Sequence, residues 1–375
     1  MSLPLEGIKV IELSGLAPAP FAGMILADYG ATVIRVDRPV NFNPDVLARH
    51  KRSIALDLKQ PKAIETLRRI LKSADVLLDP YRPGVLEALG LGPDVLLKDN
   101  PRLIIARLSG YGQTGAWSKI AGHDVNYLAV SGVLSLIGRH GENPFFPVNI
   151  LGDFAGGGLM CVTGILMAVI ERNRSGKGQI IDANLTDGAG YLASFPYYMR
   201  KNGFSWTEER GKNMLDGGAP FYEVYRTKDN KFMAVGAIEP QFYAAFIKGL
   251  GLTESSLPPQ MDADHWEDSK KKFTAIFGSK TQSEWTQIYQ NTDACVTPIL
   301  DFNVEDNNEK GFAANPKPAP LLSRTPAKDS SKESGVLEPG LHSAAVLKEF
   351  GLTNDEIQEL IKSRVVKSND IKSSL

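Results

Sequence analysis

Between residues 7 and 108 short β-branched runs alternate with segments of helical period, and that alternation leaves few folds open. "GIKVIEL" reads as a strand, "APFAGMILADYGA" has helical spacing with proline at its start and glycine at its end, and "TVIRVD" is again a strand. "RSIALDL", "KAIETLRRILKSA" and "DVLLD" repeat the unit, and "LLKDNPRLIIARLS" extends it. Each crossover helix returns the chain to the same end of the sheet, so neighbouring strands run parallel with helices on both faces. The spacing predicts an α/β fold with a large Rossmann-like, doubly wound domain.

Further along, Gly122 to about Ile170 is apolar and reads as helix, and "GKGQIIDANL" reads as one more strand after a glycine turn. Residues 191–222 are aromatic and glycine-containing without a period, which suits a linker. "EVYRTKDNKFMAVGAI" is a hairpin turning at "KDNK", and "PQFYAAFIKGLG", "WEDSKKKFTAIFGS" and "TQSEWTQIYQN" follow it as amphipathic helices. Together they predict a smaller α+β domain over 223–312 behind a large domain over 1–190. "TPAKDSSKESGVLEPG" is polar and rich in Pro, Gly and Ser, the composition of an exposed loop. Two short helices close the chain, the second opened by Thr353 with Glu356 at the capping-box position.

Composition narrows the partners. A chain of 375 residues suits two domains, and 42 Lys and Arg against 43 Asp and Glu leave a net charge of -1, no field to draw it to nucleic acid or anionic lipid. The longest apolar run, "LMCVTGILMAVI", is short for a bilayer span and is closed by Glu171 and Arg172, so no membrane insertion is expected. Cys161 and Cys295 share no metal or disulfide spacing and read as buried, reduced thiols of an intracellular protein, with no metal implied. The terminal Ser373-Ser374-Leu375 is a loose form of the peroxisomal address, with serine where a basic residue is usual.

Candidate chemistry starts at the first β-α turn. Asp37 ends the second strand where an acid could hold a ribose hydroxyl, yet Gly15 and Gly23 bracket prolines and no G-x-G-x-x-G lets a pyrophosphate approach, which argues against a dinucleotide. Cations gather after successive strands instead: Arg35, Arg38, Arg49, Lys51, Arg52, Lys59 and Arg82. Singly each is a solvated charge; together they suit a phosphate-rich ligand at the carboxyl ends of the sheet. His123 stands in "AGHDVNY", with Gly122 open to close approach, Asp124 as an orienting acceptor, and Asn126 and Tyr127 within one turn. Asp153 precedes Gly156-Gly157-Gly158 and reads as a helix N-cap, where its carboxylate would be a weaker base. Glu239 reads as a turn residue before Pro240, and "DGGAP" at 216–220 as a hinge or a close-approach loop. Nothing local brings His123 and Asp153 together.

"IELSGLAPAPFAGMILADYGATVIRVDRP", "ARLSGYGQTG", "AGHDVNYLAVSGVL", "NILGDFAGGGLM", "NMLDGGAPFY", "VGAIEPQFY", "TDACVTP" and "PAPLLSRTPA" occur in one order. From residue 4 to about 327 the chain thereby resembles the α-methylacyl-CoA racemase branch of the family III CoA-transferase superfamily. The resemblance implies an interlocked homodimer, residues 313–375 returning to the large domain, and a CoA thioester lying between the large domain of one chain and the small domain of the other. It implies His123 and Asp153 as the acid/base pair, Glu239 as a supporting residue from the neighbouring chain, and Arg35, Arg38, Lys59, Arg82 and Gly122 as CoA contacts. Arg49, Lys51 and Arg52 lie in a variable loop outside that set.

The activity implied is interconversion of (R)- and (S)-2-methylacyl-CoA by two-base proton transfer through an enolate, in fatty-acid and bile-acid metabolism. CoA enters as part of the substrate and no separate cofactor is implied. An enolate needs donors already in place, and a backbone amide at the Asp153 helix start is the candidate; a low-dielectric pocket that partly desolvates Asp153 would offset the helix-end effect on its carboxylate, and Met214, Leu215 and nearby aromatics offer apolar area for the acyl tail. The resemblance also implies a peroxisomal protein, delivered by an import receptor reading the terminal Ser-Ser-Leu, with the mitochondrion as a second compartment. CoA-transferases of the same superfamily instead use an aspartate as nucleophile to form an acyl-enzyme; the pairing of His123 with Asp153 favours the racemase. An idle CoA-binding protein would not need His123, Asp153 and Glu239 intact.

Overall fold

The structure, a computed structural model, describes residues 2–302, 316–331 and 333–369. Two compact units divide the chain. One takes the residues up to Ser131, Pro147–Leu192 and the described residues from 316 onward; the other takes Gly132–Phe146 and the described residues from Ala193.

In the first unit β1 (Lys9–Leu13), β2 (Thr32–Asp37), β3 (Arg52–Leu56), β4 (Val76–Asp79), β5 (Ile104–Ser109) and β6 (Ile180–Asn184) form a parallel sheet in the spatial order β3-β2-β1-β4-β5-β6. Register runs from Lys9 opposite Thr32 to Leu13 opposite Val36, and from Ile105 opposite Ile180 to Ser109 opposite Asn184. Side chains alternate between two cores. Ile11, Leu13, Ile34, Leu77 and Ile105 pack with the Pro61–Leu71 helix and the C-terminal helices, while Val10, Val33, Val76, Leu78 and Ile104 pack with the Pro18–Asp28 and Met160–Ser175 helices. Both faces of the central strands are therefore dry, which is why these read as mostly apolar, β-branched runs. The strand order reverses between β1 and β4, and in open α/β sheets the crevice beyond the carboxyl ends at that reversal is where ligands bind.

The second unit carries the antiparallel sheet β7 (Tyr222–Arg226), β8 (Phe232–Gly236) and β9 (Val296–Pro298), with the first two joined as the expected hairpin. The Pro240–Gly249, Trp266–Phe277 and Gln282–Tyr289 helices close its core around Phe246, Phe273 and Trp285.

Several local expectations are revised. Gly132–Phe146, placed in the large domain by its apolar character, clusters with the second unit. The segment expected to be a linker holds the Ser194–Lys201 helix. The polar loop near 330 is in part packed: the Gly335 carbonyl accepts from Ala48 N–H, and Ser330 and Leu337 are buried. A two-residue strand, β10 (Val366–Lys367), pairs antiparallel with β3 and was too short to read. Cys161 is buried as expected, but Cys295 is exposed, at φ 52° in the turn before β9. Thr353 does cap its helix, accepting from Glu356 N–H at 3.2 Å.

Ile150–Ser175 is one continuous helix of 26 residues, by length and composition long enough to cross a bilayer, so the apolar run judged short is part of a longer element. Its Cys161, Val162, Ile165 and Ala168 lie in the core of the first unit. Its first ten residues, Ile150–Leu159, form a π-helix. There a Cβ on Gly188 would stand 1.8 Å from the Gly156 carbonyl oxygen, so the glycines let two backbones touch. The triple glycine is a packing surface and not a helix opener.

Candidate active site

The carboxyl ends of β1, β4 and β5 open onto a cavity of about 360 Å³ in the first unit, at the reversal of strand order. Ser14 follows β1, Arg82 follows β4 and Tyr111 follows β5; His123, Tyr127 and Asp153 complete the wall. The two residues that no local pattern joined thus share one cavity.

His123 occupies the N-cap position of the Asp124–Val130 helix in extended conformation, φ -130° and ψ 178°. Its N–H donates to Asn126 Oδ1 at 3.0 Å, and its carbonyl accepts from the N–H groups of Asn126 and Tyr127 at 2.8 and 3.2 Å. These bonds hold the backbone beneath the imidazole and leave the ring exposed. Asp124 does not orient it. Asp124 Oδ2 accepts from Asp153 N–H at 2.7 Å, and Oδ1 is buried with no hydrogen-bond partner among the described residues. This one carboxylate ties the His123 segment to the Asp153 segment.

Asp153 lies in the first turn of the π-helix and is not its N-cap, which is Asn149. Burial pushes its carboxyl above the ordinary value, and the neighbouring Asp124 charge pushes the same way; the Asn149 side chain, donating at 3.2 Å to Oδ2, and the His123 charge pull it back in part. Desolvation therefore outweighs the helix-end depression, the offset expected of a partly desolvated pocket. A raised carboxyl is the better proton shuttle near neutral pH. Of the backbone amides at this helix start, among which a donor to the enolate oxygen was expected, that of Asp153 itself is already engaged by Asp124.

The close approach at Gly122 is made by tyrosines: a Cβ there would lie 2.5 Å from Tyr111 Oη and 2.8 Å from Tyr127 Cε1. The two rings meet edge to face at 4.9 Å, and the Tyr127 hydroxyl donates to the Gly122 carbonyl. Burial, helped by Tyr111 and Asp153, pushes the Tyr127 phenol up to about 12, so it remains protonated.

The cations separate into two sets. Arg35 is fully buried, and its guanidinium is spent on Asp37 at 2.9 Å, Asp45 at 2.8 Å and the Leu337 carbonyl at 2.8 Å. Its assignment as a CoA contact is corrected: the guanidinium is wholly buried against two carboxylates and presents no N–H to a phosphate at the surface. Lys51 pairs with Glu12 at 2.8 Å, Arg49 with Asp28 at 2.6 Å, and Arg52 with Glu349 at 2.7 Å. Arg82 lines the cavity, the Arg38 charge acts on Tyr81 in its wall, and Lys59 is exposed just after β3. These three make no ion pair among the described residues. Asp37, the residue that raised the dinucleotide reading, is buried and accepts from Arg35, Asn43 and Ser53, so it holds protein and not ribose.

Glu239 belongs to the second unit. It is exposed at the N-cap of the Pro240–Gly249 helix, where its carbonyl accepts from Tyr243 N–H at 2.9 Å, and its charge, after burial, pushes the Cys295 thiol up. Within that unit Leu215, Tyr222 and Cys295 line another cavity of about 740 Å³, while Met214 packs against the aromatic core. Among the described residues no three His, Cys, Asp or Glu side chains are grouped to hold a metal. Sequence reasoning passed over Ser14, Asn149 and Tyr111; Asn149 stands four residues before Asp153, a helical spacing that could have marked it.

Comparison with known proteins places the chain. The profile of CoA-transferase family III matches residues 5–310. Alpha-methylacyl-CoA racemase from Homo sapiens is 54% identical over 100% of both chains, and the Mus musculus protein of the same name is 53% identical over 99% of this chain and 100% of its own. The solved structure of a CaiB/BaiF family protein from Brucella suis has the same fold, with a TM-score of 0.75 at 24% identity over 93% of this chain and 100% of that one.

Proposed function

This chain belongs to CoA-transferase family III, and from its 54% identity over full length to an alpha-methylacyl-CoA racemase we propose that it is an α-methylacyl-CoA racemase, interconverting (R)- and (S)-2-methylacyl-CoA. The observation that carries the mechanism is His123 and Asp153 on one cavity, tied through Asp124, with the Asp153 carboxyl raised by burial.

Racemisation removes a weakly acidic C2 proton beside the thioester carbonyl and returns a proton to the other face of a planar enolate. One base must take and one acid must give, and the two exchange roles with the hand of the substrate. The pair therefore works with a single shared proton: Asp153 ionised and His123 protonated for one hand, the reverse for the other. Arg38, Lys59 and Arg82, without an ion pair among the described residues, are the cations we assign to the CoA phosphates, and Gly122 supports the wall by admitting the two tyrosines. The substrate carries its own CoA, and the chemistry asks for no further cofactor.

The resemblance supports a homodimer in which Glu239 of a second copy assists the site, and delivery to the peroxisome through Ser373-Ser374-Leu375, which lie outside the described residues. Each (R)- and (S)-substrate, incubated separately in deuterated water and followed at C2 by NMR, tests the reading. Deuterium uptake with inversion from both hands is expected. No exchange, with CoA passing to an added carboxylate, would replace the racemase by a transferase with Asp153 as nucleophile.

A further inference from the structure

Ser14, at the end of β1, is the outer tip of a buried polar network. Asn43 Nδ2 donates to Ser14 Oγ at 3.1 Å and to Asp37 Oδ1 at 2.6 Å, while Asn43 Oδ1 accepts from Asp45 N–H at 3.0 Å. Acceptors on the nitrogen side and a backbone donor on the oxygen side leave one orientation for this amide. Asp37 Oδ2 accepts from Arg35 Nε at 2.9 Å and from Ser53 Oγ at 2.6 Å, and Arg35 continues to Asp45 and the Leu337 carbonyl. Arg35, Asp37, Asn43, Asp45 and Ser53 are each less than a tenth exposed. A satisfied network of this kind is rigid. Ser14 alone among its members lines the cavity shared with His123 and Asp153.

The Ser14 oxygen already accepts from Asn43, and its own hydrogen meets no acceptor among the described residues. The Asp153 amide is consumed by Asp124, so the thioester oxygen, which gains charge as the enolate forms, draws on the other donors of the wall, backbone amides of the neighbouring helix starts and any hydroxyl with a free hydrogen. We propose that Ser14 is one such donor, a catalytic hydroxyl hydrogen-bonded to the thioester carbonyl, with Asn43, Asp37 and Arg35 as its positioning residues. The inference rests on the racemase reading. The hydroxyl keeps its proton throughout; it stabilises charge and exchanges nothing. Donors fixed before the reaction need no reorganisation at the transition state, which is where such contacts act most strongly. Arg35, buried away from any phosphate, thereby has a function in the site.

Racemisation rates of the wild type, Ser14→Ala, Ser14→Thr, Asn43→Ala and the Ser14→Ala/Asn43→Ala double variant test this. Ser14→Ala is expected to lose about 10- to 100-fold in kcat with KM changed less than about threefold. Ser14→Thr, which keeps the hydroxyl, should recover to within about threefold of wild type, and the double variant should be no slower than Ser14→Ala, because residues acting through one contact are not additive. A wild type that neither exchanges nor inverts would sink the racemase reading and this inference with it. An active wild type with Ser14→Ala unchanged, altered in KM only, or compounding with Asn43→Ala would overturn the inference alone. Should Asn43→Ala fail to fold, the contrast between Ser14→Ala and Ser14→Thr decides, since Ser14 is part-exposed and either change is small.

Discussion

Replacing Asn149 by alanine should move the acid limb of the pH–rate profile upward. The Asn149 side chain donates at 3.2 Å to Asp153 Oδ2, a bond that favours the ionised carboxylate, whereas burial and Asp124 favour the protonated form. Loss of the donor therefore leaves only the raising influences, apart from the His123 charge. A hydrogen bond to a charged group contributes about 1.5–3 kcal/mol at good geometry; at this length and with the pair only part-buried, about 1 kcal/mol is reasonable. At about 1.36 kcal/mol per unit that is about 0.7 pH unit. Since the pair must carry one proton, the limb reports the doubly protonated pair losing its first, and it should shift alike for both substrate hands. The assay is kcat/KM for C2 deuterium uptake from each hand across pH. An unmoved limb, or one displaced to lower pH, would refute the account of Asp153. Asn149→Asp adds a like charge and should move the limb further in the same direction.

Four other outcomes follow from the geometry. His123→Ala and Asp153→Ala should each lose at least about 100-fold in racemisation, the scale of one acid/base group, and two variants at wild-type rate would remove the pair from the mechanism. Arg38→Ala should raise KM more than it lowers kcat and leave the urea midpoint in place, whereas Arg35→Met, which strands Asp37 and Asp45 in the interior, should cost about 3–5 kcal/mol of stability by urea denaturation. Gly122→Ala forces Tyr111 and Tyr127 apart and should cost up to about 100-fold in kcat/KM, because misplacement of the wall by about 1 Å carries to the reacting groups. The Asp153→Asn variant should be more stable than wild type at pH 7: the folded-state pKa is raised, so the wild-type contribution is full below the unfolded value near 3.8 and is lost as pH rises through the folded one. Thermal melts should therefore show a gain at pH 7 that is absent below about pH 4, and a gain persisting there would contradict the sign.

How much was legible beforehand differed by element. Five of the six parallel strands were readable because burial on both faces leaves short, mostly apolar and β-branched runs set off by turns and helical periods; β6, an edge strand with Ile180 and Asp182 exposed, was readable from its isoleucine pair after a glycine turn. The hairpin and the Thr353 cap were readable because their signals sit within a few residues. β10 escaped because two residues carry no period, and the Ile150–Leu159 π-helix escaped because its glycines answer to the Leu185–Leu192 helix, far away along the chain. Arg35 was misjudged as a ligand contact since charge alone does not distinguish a cation facing solvent from one enclosed by Asp37 and Asp45.

By itself, then, the sequence determined the alternating α/β class, the hairpin-bearing second unit, the residue types of the chemistry and a family resemblance strong enough to name the reaction. Only the tertiary structure decided that Asp124 holds Asp153 and not His123, that Arg35 is interior, and that burial outweighs the helix end at the Asp153 carboxyl. The physical reason is one of range. Period, caps and turns are set by neighbours a few residues apart, but desolvation and the pairing of buried charges depend on which distant segments close over a side chain, and only the packed fold fixes that.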